Sequence, residues 1–396
     1  MSKLEQLIAE LCPEGVEYKT LIELGKFYGG LSGKAKDDFT DGNAKFITYK
    51  NVYSNPALNV DVEEKVKIVD GEKQHTLQYA DVIFTGSSET PDECGFSSVL
   101  TKETDDNLYL NSFCFFFRFD EPEIMLPDFA KHLFRSNVLR IQIRKTANGV
   151  TRFNVSKKLM EKVVIPLPPL PVQEEIVRIL DNFTELAAEL AAELTARQKQ
   201  YEYYRSEILS FRDGLTAKWL PLNKIANVFR GKYITKKDTQ RGSIPVILGG
   251  QEPAYYIDKS NHEGEIVVVA RSGASAGFVS FWDEPIFVTD GFGYEAKSDV
   301  VVQKYLYYSL KNIESELNSM KRGAGVPHVS GEALGKIQLP VPCIEEQKRI
   351  VKILDRFDTL CNDISSGLPA EIEARQQQYE YYRDKLLTFP KVELEV

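Results

Sequence analysis

The sequence contains few of the residues that build disulfide frameworks and metal sites. Its 396 residues include 5 cysteines and 4 histidines. The cysteines are odd in number and never form a C-x-x-C pair, which argues against disulfide frameworks and zinc sites and for a reducing compartment. We therefore expect a cytoplasmic protein without a bound metal. The cysteines are Cys12, Cys94, Cys114, Cys343 and Cys361.

Long apolar runs are also missing. The most apolar stretch, around Phe113–Phe117, is far too short to cross a bilayer. Residues 1–15 carry charges throughout and have no apolar segment of the kind found in secretory signals. We expect no membrane partner and no signal peptide.

Acidic residues outnumber basic ones overall, 58 against 49, but the positive charge is locally concentrated. The net charge is −9, which at first argues against nucleic acid as a partner. However, Lys131–Met160 holds eight basic residues and no acidic one, and Arg230–Arg241 holds five basic residues against one Asp238. Contact with phosphate depends on a local basic face and not on total charge. Solvated surface lysines remain an equally good interpretation of either stretch alone.

The segments that resemble known catalytic signatures lack residues that those signatures require. Gly29–Asp37 resembles a phosphate-binding loop, but Ala35 stands where the Mg²⁺-binding hydroxyl is needed. Arg271–Gly277 and Asp290–Tyr294 are glycine-rich without G-x-G-x-x-G spacing, so tight turns are favoured there. The histidines stand far apart and without a nearby ligand cluster; they are His75, His132, His262 and His328. We expect no catalytic site in this chain.

The strongest positive signal is an internal repeat. Gln173–Phe183 returns as Gln347–Phe357 with seven of eleven positions identical, and Ala196–Phe211 returns as Ala374–Phe389 with eleven of sixteen identical. Two copies at so long a period indicate a duplicated half-protein and not a solenoid. The repeat predicts a pseudo-two-fold molecule with two equivalent working sites.

Both repeats read as long helices. Apolar residues recur at alternating three- and four-residue intervals, as in the series Ile176, Leu180, Phe183, which is the heptad pattern of a coiled coil. The two repeated blocks are offset by 174 residues (347 − 173) and 178 residues (374 − 196), so four residues are inserted between them in the second copy. Gly367 and Pro369 lie at the insertion, which predicts an interrupted helix there.

The segments between the helices predict globular domains. Each helix follows a proline-rich approach, Ile165–Gln173 or Leu339–Gln347, which favours an extended domain boundary. Short β-like runs separated by turn residues fill the upstream segments. They include Lys45–Tyr49, Asp81–Thr85, Phe113–Phe119, Gly264–Ala270 and Pro285–Thr289. The predicted fold is α+β, with two mixed α/β domains separated by two long helices that bury their apolar stripes on each other.

This arrangement resembles the specificity (S) subunits of type I restriction–modification systems. The resemblance is carried by the IPLPPLPVQEEIVRILD-like and ARQ-x-QYEYYR-like blocks at matching places in both halves. It implies a non-catalytic subunit whose two target recognition domains each read one half of a bipartite DNA site. The implied boundaries are 1–17 for an N-terminal helix, 18–171 and 213–344 for the recognition domains, 172–212 and 345–390 for the helices, and 391–396 for a tail.

The resemblance also implies partners and cofactors. The two long helices are expected to form an antiparallel coiled coil that sets the half-site spacing and docks two methyltransferase (M) subunits, with motor-nuclease (R) subunits joining for cleavage. S-adenosylmethionine then belongs to M, and ATP and Mg²⁺ belong to R, so none is expected on this chain. Candidates for the coiled coil and for docking are Gln173, Ile176, Leu180, Phe183, Tyr201, Tyr204, Gln347, Ile350, Leu354, Phe357, Tyr379 and Tyr382.

Basic and amide side chains near the glycine-bearing loops are the candidates for DNA contact. Asn148–Ser156 and Arg322–Ser330 are mirrored loops, each placed just ahead of a helix approach. Arginine and lysine can pair with phosphate or guanine, and asparagine with adenine. The full candidate set is Lys34, Lys36, Lys50, Arg144, Lys145, Asn148, Thr151, Arg152, Asn154, Arg230, Lys232, Lys236, Lys237, Arg241, Arg271, Arg322 and His328.

Two other classes of protein remain open from the sequence. One is a coiled-coil scaffold that joins two protein-binding domains without DNA, which the neutral average charge of the globular segments allows. The other is an enzyme with an unrecognised site. Steep salt dependence of binding is expected for DNA recognition and not for the scaffold.

Overall fold

The chain divides into two compact units that each contain one copy of the duplication. The computed structural model describes residues 2–104, 107–211, 217–234, 240–248, 252–323, 325–363 and 365–392. Unit 1 comprises Met1–Glu189 and Glu373–Val396, and unit 2 comprises Leu190–Ile372. Each unit therefore combines one globular segment with portions of both helical repeats.

Unit 1 begins with a capped helix and alternates short strands with short helices. Ser2 and Glu5 form a reciprocal capping box at the start of the first helix. The helices and strands are α1 (Lys3–Leu11), β1 (Glu17–Thr20), α2 (Leu21–Leu24), β2 (Gly25–Gly29), β3 (Ala44–Ile47), α3 (Tyr49–Ser54), β4 (Lys65–Val66), β5 (Val82–Thr85), β6 (Ser87–Ser88), β7 (Ser97–Val99), β8 (Tyr109–Leu110), β9 (Cys114–Phe119), α4 (Pro127–Leu133), α5 (Asn137–Arg144), β10 (Ala147–Asn148), β11 (Phe153–Val155), α6 (Lys157–Met160) and β12 (Val164–Leu167).

An antiparallel sheet in the order β2-β9-β5-β7 forms the centre of unit 1. Its strand β9 is apolar almost throughout because both faces are covered. Phe115 and Phe117 pack with the helices on one face, and Phe116 packs with Ile47 and Leu110 on the other. This arrangement explains the run of phenylalanines as a central strand and not a membrane segment.

The first helical repeat forms a single helix, α7 (Leu170–Ser210), of 41 residues. Unit 2 then follows with β13 (Lys218–Pro221), α8 (Leu222–Ile225), β14 (Ala226–Arg230), β15 (Ile244–Ile247), β16 (Tyr255–Ile257), β17 (Ile266–Ala270), β18 (Val279–Trp282), β19 (Phe287–Val288), β20 (Gly291–Ala296), α9 (Gln303–Asn312), α10 (Glu314–Ser319), α11 (Gly331–Gly335), β21 (Gln338–Val341) and α12 (Ile344–Asn362), and the last helix is α13 (Leu368–Leu386).

The two units share one strand order despite their diverged sequences. The central sheet of unit 2 runs β14-β20-β17-β18, which corresponds strand for strand to β2-β9-β5-β7. The sheet β16-β15-β19 corresponds to β4-β3-β8, and each contains one parallel pair. The pair β13-β21 corresponds to β1-β12. The duplication seen in the helices therefore extends through both globular segments.

The structure confirms the predicted α+β class and the interrupted second helix. All five predicted β-like runs contain strands, with ends that differ by a few residues. Helix α12 ends at Asn362 and α13 begins at Leu368, and the four-residue insertion lies at this break. Within unit 2, Arg197 and Tyr201 of α7 lie near Cys361, and Tyr204 stacks on Phe357. These two helix segments are therefore antiparallel.

Candidate nucleic-acid interface

A short three-stranded sheet in unit 1 presents a row of polar side chains. Strands β10 and β11 form a hairpin, and β11 also pairs with β6, so Asn154 is opposite both Asn148 and Ser87. Residues directly opposite each other in antiparallel strands point to the same face. Ser87, Asn154 and Asn148 therefore form a continuous line, here named the unit 1 row. Both asparagines are exposed.

Unit 2 builds the same row from different residues. His328 is bridged in antiparallel fashion to both Arg322 and Ser272, and these three residues form the unit 2 row. Arg322 and His328 are exposed. Each hairpin turns at a glycine, Gly149 with φ 151° and Gly323 with φ 115°, a conformation that other residues rarely adopt. The mirrored loops of the sequence are thus equivalent hairpins.

A cleft of about 900 Å³ lies beside the unit 1 row. Arg152 reaches across it, donating a hydrogen bond of 3.0 Å to Ser87 Oγ and lying over the exposed ring of Phe113. Tyr49 and Tyr53, which also line the cleft, stack on each other, and the Tyr49 hydroxyl donates to the carbonyl of Ser87 at 2.8 Å. These contacts hold the guanidinium in place while it remains exposed, which suits it to bind a phosphate or a base edge.

Sequence reasoning missed the walls of this cleft. Tyr49, Tyr53, Ser87, Glu93 and Phe113 were not among the candidates, because they come from three separated segments. The Tyr53 hydroxyl donates to Glu93 Oε1 at 2.8 Å, and further hydrogen bonds from Thr90 and Ser88 help lower the pKa of that carboxyl. The Ser87-Ser88 pair, separated from the buried strand β5 by Gly86, is the one signal in the sequence that marks this edge.

Several basic residues of the predicted basic face serve the fold instead. Arg135 donates to the carbonyls of Ser97, Val52 and Tyr53, and Arg140 donates to those of Gly95, Asp92 and Cys94. Burial lowers the pKa of both guanidinium groups to about 10. Lys131 bridges Asp128 and Asp181. Three of the eight basic residues of Lys131–Met160 are therefore satisfied within the fold and do not contribute to an accessible basic face.

Lys34, a candidate for DNA contact, is also held by contacts within the fold. Its ammonium donates to Glu72 and to the carbonyl of Lys67, both at 2.6 Å, and only 7% of its side chain is exposed. The ion pair holds the pKa of Glu72 at about 2. Lys34 thus fastens a loop, and a phosphate would have to displace Glu72 to reach it.

The remaining cations of unit 1 are accessible. Arg144 pairs with Asp92 at the surface, and both groups are about half or more exposed. The other candidates of this unit are exposed and have no ion-pair partner among the described residues; they are Lys36, Lys50, Lys145, Thr151 and Arg152. The accessible positive charge is therefore smaller than the sequence indicates and lies near the hairpin and the neighbouring loops.

In unit 2, too, some candidates for DNA contact are exposed and others are held by contacts within the fold. Arg230, Lys232 and Arg241 are exposed. Arg271 lies 3.4 Å from Asp290, and its backbone carbonyl accepts the amide of Val329, which fixes the base of the hairpin. Lys236 and Lys237 lie outside the described residues.

Gln173 and Gln347, which were candidates for the coiled coil and for docking, are wholly buried and hydrogen-bonded to the backbone. The Gln173 side chain donates to the carbonyls of Ile124 and Pro168 and accepts the amide of Leu126. Gln347 repeats this pattern with the carbonyls of Val300 and Pro342 and the amide of Val302. Because both side chains are 0% exposed, they join helix to globular segment within the chain and offer no surface to a second subunit.

The apolar helix candidates pack within their own units. Phe183 stacks on Tyr382 in unit 1, and Phe357 stacks on Tyr201 and Tyr204 in unit 2. The others are buried: Ile176, Leu180, Ile350, Leu354 and Tyr379. Tyr204 is 41% exposed, and two tyrosines that the sequence reasoning did not select, Tyr203 and Tyr381, are more exposed, at 62% each.

Of the two glycine-rich segments predicted to form tight turns, Arg271–Gly277 contains a turn. The prediction is wrong for Asp290–Tyr294, which enters strand β20, where the ring of Phe229 lies against Gly293 and leaves no room for a side chain. Gly273–Gly277 fits the G-x-S-x-G spacing, yet it links the antiparallel strands β17 and β18, whereas a nucleophile elbow joins a strand to a helix. Within the described part of the chain no group of three His, Cys, Asp or Glu residues could hold a metal ion. No helix there is long and apolar enough to cross a membrane.

Comparison with known proteins gives one consistent family. The family described as "Type I restriction modification DNA specificity domain" matches residues 13–197 and 218–374, which is most of the chain. The specificity subunit of EcoR124I/EcoR124II from Escherichia coli is 37% identical over 60% of this chain and 66% of its own length. The putative specificity subunit S.HindORF215P from Haemophilus influenzae is 36% identical over 61% and 68%.

Solved structures give the same fold. The S subunit from M. genitalium aligns over 94% of this chain and 96% of its own length, with a TM-score of 0.56 and 16% identity. A chain from a structural study of type I restriction–modification complex assembly aligns over 95% and 98%, with a TM-score of 0.68 and 16% identity. The duplicated strand order and the match over both halves lead to one conclusion: the chain belongs to the family of type I restriction–modification DNA specificity subunits.

Proposed function

We propose that each globular segment of this chain reads one half of a bipartite, asymmetric site in double-stranded DNA. The observation that carries the proposal is the pair of equivalent rows. Their backbone pairing is the same in both units, while the exposed side chains differ, Asn148 and Asn154 against Arg322 and His328. Two similar scaffolds with different polar surfaces suit recognition of two different base sequences.

The proposed recognition segments are residues 18–171 and 213–344. The helical segments, 172–212 and 345–390, then fix the separation of the half-sites, because a helix of given length is a rigid spacer. The four-residue insertion at the break between α12 and α13 affects the spacing and not the sequence of either half-site. Exposed cations such as Lys145 and Arg230 neutralise phosphates and position each segment on the duplex.

We further propose that the repeated helices dock two M subunits through Tyr203 and Tyr381. Each residue belongs to a Tyr-Glu-Tyr-Tyr-Arg block that is identical in the two copies. Their rings are 62% exposed, so packing within the chain does not account for their retention. Exposed aromatic residues are enriched at protein interfaces. A partner that binds once per copy accounts for both observations.

In this assembly the chain contributes recognition and its partners contribute the chemistry. Adenine N6 methylation, with S-adenosylmethionine, belongs to M, and ATP- and Mg²⁺-dependent cleavage belongs to R where R is present. A scaffold that joins proteins without DNA predicts instead that binding is insensitive to salt. DNA recognition predicts a steep loss of affinity as salt rises.

The test is the methylation pattern of the host genome with and without this gene. We expect deletion to abolish one bipartite adenine motif, and a plasmid copy of the gene to restore it. The M partner must be expressed in every strain, which is checked by immunoblot. If every motif persists in the deletion strain, the proposal is wrong.

A domain exchange tests whether the two readers are independent. Replacing Trp219–Gln338 with the corresponding segment of another family member is expected to change one half-site and to leave the other unchanged. The converse exchange of the segment in unit 1 is the matched control and is expected to change the opposite half-site. Changes in both half-sites from a single exchange would contradict independent readers.

A further inference from the structure

The two rows share their hydrogen-bonded backbone in detail. In unit 1 the amide of Val155 donates to the carbonyl of Gly86 at 2.9 Å, and in unit 2 the amide of Val329 donates to that of Arg271 at the same distance. Asn148 pairs with Asn154, as Arg322 pairs with His328. Each residue of the unit 2 pair follows its equivalent in unit 1 by 174 positions (322 − 148 and 328 − 154). The rows are therefore comparable position by position.

What differs between the rows is the hydrogen-bonding chemistry of two positions. The inner position is serine in both, Ser87 and Ser272. The middle position is Asn154 in unit 1 and His328 in unit 2, and both are exposed without a side-chain hydrogen bond in the described structure. The outer position is Asn148 in unit 1 and Arg322 in unit 2. Asn148 donates one N–H of its side-chain amide to the carbonyl of Thr146 at 3.3 Å, which leaves its second N–H and its Oδ1 available to a ligand.

The dimensions of a row suit the edges of stacked base pairs. Neighbouring strands are about 4.8 Å apart, so the three side chains of a row span roughly 10 Å. Base pairs in B-DNA are about 3.4 Å apart, so a row covers about three of them. A two-stranded ribbon is also narrow enough to enter the major groove, where the four base pairs present distinct patterns.

We propose, resting on the proposed function, that the middle and outer positions of each row set the base preference of that half-site. Asn154 and Asn148 read adenine through its N6 amino group and N7, since an asparagine amide both accepts and donates. Arg322 reads guanine through O6 and N7, since a guanidinium donates two parallel hydrogen bonds. His328 donates one ring N–H to a guanine acceptor. The units therefore differ in specificity mainly at these two positions.

The test exchanges the rows within the full-length chain assembled with its M subunit. The unit 1 variant combines Asn148→Arg with Asn154→His, and the unit 2 variant combines Arg322→Asn with His328→Asn. We expect the first to change the preferred base of one or two positions in one half-site from adenine to guanine, by on the order of tenfold. The second is expected to make the reverse change in the other half-site. Asn107→Arg, at an exposed asparagine outside the row, is the matched control.

Two readouts keep the result decisive. Long-read sequencing of methylated plasmid libraries reports the motif that each complex modifies, and selection from duplexes with randomised half-sites reports the motif that it binds. If a row variant fails to assemble, the single change Asn154→His, which introduces the residue already present in the unit 2 hairpin, replaces it. An assembled variant with an unchanged preference overturns this inference. A wild-type complex without any bipartite motif overturns the proposed function instead.

Discussion

The hydroxyl of Tyr18 donates a hydrogen bond of 2.8 Å to the carbonyl oxygen of Phe389. The contact joins residues 371 positions apart, and it is reinforced where the amide of Val16 donates to the carbonyl of Pro390 at 2.9 Å. Leu387 and Phe389 are buried in the core of unit 1 together with Leu4 of α1. The end of the second repeat and the first residues of the chain therefore share one core in unit 1.

This closure makes the stability of unit 1 depend on its last residues. Leu387→Ala is expected to lower the free energy of unfolding of unit 1 by about 2–4 kcal/mol, because it leaves a cavity at a residue that is 2% exposed. Tyr18→Phe, which removes one hydrogen bond, is expected to cost about 1 kcal/mol. Urea unfolding of the full chain is the measurement. Leu186→Ala, at a partly exposed leucine, is the control, and an equal loss for that variant would contradict the argument.

Patterns in the sequence predicted the architecture better than the site. The helical repeats were recognisable because heptad spacing and repetition are local properties, and the insertion near Gly367 marked the break for the same reason. The identity of strand order between the units was not evident, since strand pairing joins distant segments such as β2 and β9. Short strands of two residues, such as β6 and β10, carry too little pattern to be predicted.

The side-chain roles were harder to predict because they depend on direction. Arg135 and Arg140 belong to a basic stretch whose composition is typical of DNA binding, yet their side chains point inward and donate to backbone carbonyls. Gln173 lies in a polar-looking repeat, yet it is fully buried. A single sequence does not reveal which face of a short helix packs inward when both faces carry long polar side chains.

The buried glutamines predict matched losses of stability in the two units. Gln173→Ala removes one acceptor and two donated hydrogen bonds, and it leaves the buried amide of Leu126 without its partner. We expect unit 1 to lose about 2–3 kcal/mol and Gln347→Ala to cost unit 2 a similar amount. Differential hydrogen exchange assigns the loss to one unit. The exposed helix residue Gln377 provides the control, and Gln377→Ala should change neither unit by more than about 0.5 kcal/mol.

Two lysines of the same candidate set should behave differently in DNA binding. Lys145 is exposed beside the unit 1 hairpin, so Lys145→Ala should weaken binding to all sequences and reduce the slope of log affinity against log salt by about 1. Lys34→Ala should leave that slope unchanged and instead loosen the loop that Glu72 fastens. Affinity titrations of the complex with M over a range of salt make the comparison. Equal slopes for both variants would show that the accessible lysine does not contact phosphate.

The exposed tyrosines of the two repeats predict a change in subunit stoichiometry. Tyr203→Ala and Tyr381→Ala should each reduce the number of bound M subunits from two to one, and the double variant should bind none. Mass photometry of the mixed subunits reports these species directly. Tyr256→Ala, at a tyrosine that is 54% exposed on β16, should retain two M subunits. Retention of two M subunits by the double variant would place the docking surface elsewhere.

A buried histidine makes the stability of unit 1 sensitive to mild acid. His132 lies between the Tyr379 hydroxyl, 2.9 Å from Nδ1, and Asp181 Oδ1, 2.8 Å from Nε2. Burial lowers its pKa, the neighbouring Lys131 acts in the same direction, and Asp181 and Asp128 oppose them. In unit 2 the corresponding contact to Asp355 comes from the Tyr308 hydroxyl. Burial, together with this contact, raises the pKa of Tyr308, so its hydroxyl stays neutral in this range.

The sign of the effect follows from the direction of the shift. A histidine whose pKa is lower in the folded state takes up its proton more readily when unfolded. Its full contribution to stability is therefore present above the unfolded pKa of about 6.5 and declines as the pH falls below it. We expect unit 1 to lose stability between about pH 7 and pH 5.5, and His132→Gln to flatten that slope. Urea unfolding at several pH values measures it, with His75→Gln, at an exposed histidine, as the control. A slope that survives in His132→Gln and disappears in His75→Gln would refute the assignment, because the sensitivity would then belong to the surface and not to the contact with Asp181.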